Sequence, residues 1–177
     1  DVPARVAAVA EDDGQEIGTA MAAAHGARLI QTRRIEALDT VLRDGNWQAL
    51  VLQDFSDTPL RITDRWGSAL AMADLARRAG SPPVVLYPTF ALPPGHPVYR
   101  KDNSRLRPAP SDRADFAARI IDFYDEVARE HGWVRAPVTE ALFDGIDTWI
   151  ADDGHHLNAR GAGRVAEVLW DALSNVL

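Results

Sequence analysis

The chain predicts a single α/β domain with a parallel sheet and helices on both of its faces. Three observations carry that reading. Ala49-Leu50-Val51-Leu52 and Val84-Val85-Leu86-Tyr87 are short, continuous apolar runs bounded by polar turns, the pattern of strands covered on both faces. Longer stretches with apolar residues three and four apart alternate with them, as crossover helices do. No repeat, heptad or shift of composition divides the 177 residues, so residues 1–177 read as one domain.

Taken in order, Asp1-Val2-Pro3 is a cap followed by a proline where a helix tolerates one. Val6, Val9 and Ala10 mark its inner face, and Glu11 to Gly14 end it. Gln15 to Ala20 fits either a short strand or a resumed helix reaching Ala24. His25-Gly26-Ala27 is a break. Leu29, Arg33, Glu36, Ala37 and Val41 then suit a second helix, ending near Asp44-Gly45. Trp47 to Gln53 is the clearest strand, and Asp54 to Pro59 a polar loop. Ile62, Trp66, Ala69, Leu70 and Ala73 keep helical spacing as far as Gly80. Val84 to Tyr87 is the second strand.

Pro88 to Pro110 holds six of the eleven prolines without sustained periodicity, and long loops in compact domains often carry function. Ser111 and Asp112 cap a long helix with Phe116, Ile120, Ile121, Tyr124 and Val127 on its face. Trp133-Val134 is a third strand, followed by a short helix from Val138 to Phe143. Asn158 caps the last helix, with Val165, Val168, Leu169 and Ala172 inward. In folds of this type ligands bind beyond the carboxyl ends of the strands. The loops after Gln53, after Tyr87 and before the last helix are therefore the places to look.

Composition narrows the chemistry. Nineteen basic and twenty-six acidic residues give a net charge of −7, and Lys101 is the only lysine. No basic cluster offers the positive footprint that phosphate contacts need, so a nucleic-acid partner is not expected. Zero cysteines exclude disulfides, thiolate metal sites and a cysteine nucleophile. No stretch approaches eighteen apolar residues, so no membrane span is expected. Neither a dinucleotide fingerprint, a phosphate loop nor a zincin motif occurs.

The densest polar cluster is Asp152-Asp153-Gly154-His155-His156-Leu157-Asn158. Asp153 and His156 are three apart on a turn leading into a helix, so both can face one pocket. A carboxylate beside a histidine fixes its tautomer and supports the imidazolium. The same residues also suit a plain solvated turn, or metal ligation by Asp152, Asp153, His155 and His156. Gln53 closes the best strand at the same rim. Its amide suits donation to an oxyanion or, equally, to a neighbouring backbone group. Gly26 precedes a helix, where an exposed N–H suits an oxyanion hole and a glycine also suits an ordinary turn.

The block Asp153 to Asn158, followed by Gly161 and an amphipathic helix, resembles the C-terminal block of the SGNH/GDSL hydrolases. Trp47-Gln48-Ala49-Leu50-Val51-Leu52-Gln53-Asp54-Phe55-Ser56 is similar to one subgroup's W-D-x-V-V-L-Q-x-x-S block. There a glutamine stands in place of the oxyanion asparagine. His25-Gly26-Ala27-Arg28-Leu29 resembles the glycine block, and Ala136 to Ala141 a conserved P-V-G-x-A stretch. Asp1 to Val6 looks like the helix after the nucleophile turn.

The resemblance implies a flavodoxin-like three-layer sandwich and a Ser-His-Asp ester hydrolase acting on a small ester or acetylated substrate. His156 would be base and acid, Asp153 its orienter, and Gly26 and Gln53 oxyanion donors. No metal or organic cofactor is implied. It also implies a first strand ending in Gly-x-Ser, and residues 1–177 hold neither. Strand and serine would then come from an upstream segment, a docked N-terminal peptide or a partner chain. Ser56 sits at the right rim but in the glutamine block, where the family does not carry its nucleophile. A binding module without a nucleophile and a metal-dependent hydrolase remain the alternatives.

Overall fold

A computed structural model, describing residues 1–23, 26–100, 106 and 108–177, has the expected alternation of strands and helices. Strands β1 (Leu50–Leu52), β2 (Val84–Leu86) and β3 (Val134–Arg135) form a parallel sheet in that order, with Val51 opposite Val85 and Val85 opposite Val134. The helices are α1 (Val2–Asp12), α2 (Leu29–Thr32), α3 (Glu36–Asp44), α4 (Ile62–Arg78), α5 (Arg113–His131), α6 (Val138–Ala141), α7 (Ile146–Trp149) and α8 (Ala159–Ser174). Helix α1 packs on α8, and α4 packs on α2, α3 and α5, so two helical groups flank the sheet.

Local chemistry explains the elements that fell where expected. All three residues of β2 are buried, which suits a β-branched and leucine run at the centre of a parallel sheet. The Asp112 carboxylate accepts the Asp115 N–H at the start of α5, and Gly132 ends that helix in the left-handed region. Tyr124, Phe116 and Ile120 make its inner face. At the far end of the chain, Trp170 Nε1 donates to Asp13 at 2.6 Å and ties α8 to the end of α1.

Four expectations need correction. The second helix is two: Arg78 donates to the Arg33 carbonyl at 2.7 Å, and the backbone turns extended at Ile35 before α3 begins. Residues 15–23 are neither strand nor helix but an open stretch without regular structure. On α4, Trp66 and Leu70 face solvent despite their helical spacing. Helix α7 was not expected.

The fourth correction concerns β1. It is an edge strand, and Val51 is 38% exposed instead of covered on both faces. Leu50 donates its N–H to the Pro83 carbonyl, and the Leu52 carbonyl accepts from Tyr87, so both residues bond toward β2. Backbone alternation turns the N–H and C=O of Val51 to the open side. A cavity of about 740 Å³ lies there, between β1 and residues 15–23, walled by Val6 of α1 and by Leu169 and Leu173 of α8.

Candidate active site

The loop from α7 to α8 is closed at its base. Ile150 and Leu157 form an antiparallel bridge, and the Ala151 N–H donates to the His156 carbonyl at 2.8 Å. Asn158 clamps the two sides: its amide nitrogen donates to the Thr148 and Ile150 carbonyls, while its Oδ1 accepts the Arg160 and Gly161 N–H groups that open α8. Gly161 is needed for that closeness, because a Cβ there would lie 2.3 Å from the Trp149 carbonyl oxygen.

Within the loop, Gly154 takes a φ of +69° and turns the chain back over Asp153. Asp153 Oδ1 then accepts the N–H groups of His155 and His156, at 2.8 and 2.9 Å. Its Oδ2 meets His156 Nδ1 at 2.8 Å. Those two backbone donors, and then the imidazole, hold the Asp153 carboxyl well below the usual carboxylate range. Both side chains remain open to solvent, 69% for His156 and 51% for Asp153. His155 stacks on His96 with ring centroids 5.9 Å apart. Among the described residues no three His, Asp or Glu side chains gather as metal ligands, so Asp152, Asp153, His155 and His156 do not form the cluster that the metal alternative requires.

Gly26, Gln53, Ser56 and His156 line one cavity of about 530 Å³, and Asp153 reaches it through His156. Gly26 has a φ of +65° and is exposed. Gln53 follows β1 and lines both this cavity and the one beside the sheet edge. Ser56 is in the wall, with no hydrogen bond joining it to His156. From the Pro88–Pro110 loop, Thr89, Phe90 and Leu92 line the pocket, whereas His96, Tyr99 and Arg100 do not. Residues 101–105 and 107 of that loop lie outside the described residues, as does His25. The Ala136–Ala141 block contributes from behind: Thr139 donates its hydroxyl to the Thr89 carbonyl at 2.6 Å.

Three residues under the site were not read from the sequence as part of it. Asp54 is 5% exposed, although it stands in a segment read as a polar loop. Tyr124 accepts the Asp54 N–H at 3.3 Å from seventy residues away. Tyr87 follows β2 as Gln53 follows β1, and its hydroxyl meets the Gln53 side chain; burial pushes that hydroxyl up to about 12. Nothing local in the sequence marks any of the three.

No protein-family model matches the sequence, and no curated protein does. Solved structures do match. A protein classed as an SGNH hydrolase from Slackia heliotrinireducens superposes with a TM-score of 0.77, at 24% identity over 97% of this chain and 90% of its own. A structure described as TesA gives 0.70 at 18% identity, covering 99% and 88%. A DUF4886 family protein from Bacteroides uniformis ATCC 8492 gives 0.69 at 15%, covering 96% and 76%. The chain therefore has an α/β fold with a small parallel sheet, of the SGNH type.

Proposed function

We propose that this chain is the major part of a serine-dependent ester hydrolase. Its His156–Asp153 pair would act on a serine carried by a segment outside residues 1–177. The observation that carries the reading is the convergence of Gly26, Gln53 and the Asp153-oriented His156 on one pocket. With Nδ1 held by Asp153, Nε2 is the nitrogen available to a hydroxyl. The serine oxygen attacks the ester carbonyl carbon as its proton passes to Nε2. The Gly26 N–H and the Gln53 amide stabilise the oxyanion. Collapse expels the alcohol, which takes the proton back from the imidazolium, and water then repeats the sequence on the acyl-serine. The substrate is a small ester or acetylated molecule, and the step calls for no metal or organic cofactor.

The cavity beside β1 supports the origin of the serine. An unpaired strand edge is normally covered or paired, and this one faces a largely apolar slot bordered by residues 15–23. A strand entering parallel to β1 would bond to Val51 and end beside Gln53, which lines both the slot and the pocket. The test is turnover of p-nitrophenyl acetate by the chain with its upstream segment fused or added as a peptide. Activity should appear with the segment and fall by about 10⁴-fold or more in His156→Ala. Undiminished turnover in His156→Ala would remove the assignment. Absence of activity with the segment bound would favour a binding module.

A further inference from the structure

Gly26 and Gln53 come from loops twenty-seven positions apart, and an oxyanion site needs its donors at fixed separation. One carboxylate oxygen spans the gap. Asp54 Oδ1 accepts the Leu29 N–H at 2.7 Å and the Phe55 N–H at 2.6 Å, so it joins the turn that carries Gly26 to the turn that carries Gln53. The Tyr124 hydroxyl holds the Asp54 N–H from α5. The second oxygen, Oδ2, is buried without a hydrogen-bond partner among the described residues. Burying a carboxylate this way is unfavourable. A fold that needed only a helix cap had cheaper choices at an exposed position.

We propose that Asp54 is a positioning residue: it sets the distance between the Gly26 backbone donor and the Gln53 amide, and acts on the reaction only through them. The catalytic part of this inference rests on the ester-hydrolase reading; the structural part does not. Leu29 and Phe55 report the clamp directly, because their amides lose their acceptor when Asp54 is truncated.

The test compares Asp54→Ala and Asp54→Asn. In the 177-residue protein, Asp54→Ala should speed hydrogen exchange of the Leu29 and Phe55 amides by about tenfold or more while amides of α5 and α8 keep their rates. Asp54→Asn retains an acceptor oxygen, and should leave both amides protected. In the protein supplied with its serine segment, Asp54→Ala should lower kcat with KM unchanged. It should add little to the loss caused by Gln53→Ala, as expected of two residues acting as a unit.

Fully additive losses in the double variant, or exchange that rises equally throughout, would overturn the inference. So would an Asp54→Asn variant as impaired as Asp54→Ala. If His156→Ala keeps its turnover, the hydrolase reading fails instead, and the exchange data still decide whether Asp54 clamps the two loops.

Discussion

His156 turns its Nδ1 onto Asp153 Oδ2 at 2.8 Å, on a turn that Asp153 itself closes through the His155 and His156 amides. One carboxylate thus shapes the backbone and fixes the tautomer of the ring. Its folded-state pKa is lowered, so any stability it lends is present above the ordinary carboxylate value of about 4 and is lost as pH falls below it. A carboxyl NMR titration should show Asp153 still ionised through that range. In the active protein, the acid limb of kcat/KM should show a single ionisation, with no second break from Asp153. A carboxyl step near pH 4 at Asp153 would mean that the turn does not form in solution.

Closure of the loop depends on Gly161 lying against the Trp149 carbonyl. Gly161→Ala puts a methyl group into backbone that cannot retreat without opening the Ile150–Leu157 bridge. Urea unfolding should report a loss of roughly 1–3 kcal/mol. Gly163→Ala, where a Cβ meets nothing within 4 Å, is the control and should be neutral or slightly stabilising.

All three tyrosines of the chain titrate above the free phenol. Burial is the main cause in each: Tyr87 and Tyr99 are pushed up to about 12, and Tyr124, fully buried, is also raised. Groups raised in this way stabilise the fold below about pH 10 and lose that contribution as pH climbs through their folded values. Absorbance at 295 nm should therefore show almost no phenolate at pH 10 in the native protein, and about half of the total phenol ionised at that pH in denaturant. A native tyrosine ionising at pH 10 would contradict the burial of this cluster.

What could be read in advance was what is local. The β2 run, the Asp112 and Asn158 caps and the Asp153–His156 pair each rest on residues a few positions apart. Asp54, Tyr87 and Tyr124 were not legible because their meaning lies in partners up to seventy positions away. The split between α2 and α3 likewise depends on Arg78, forty-five positions from the Arg33 carbonyl it takes. For β1, an apolar run states that a strand wants two covered faces; it cannot state which neighbour covers them. Val51, apolar and 38% exposed, marks that difference.

The open edge makes its own prediction. The Val51 amide should exchange rapidly in the 177-residue protein and become at least about tenfold slower when the serine-bearing segment occupies the slot. The Val85 amide, already inside the sheet, should be slow in both states. Equal protection of Val51 with and without the segment would place the segment elsewhere.

The central claim is that His156 and Asp153 activate a serine lying outside these 177 residues. Fluorophosphonate labelling of the protein with its upstream segment, mapped by peptide mass spectrometry, tests it most directly. A single adduct on a serine of the added segment, lost in His156→Ala, is the predicted result. An adduct on Ser56, or labelling that persists without His156, would contradict it.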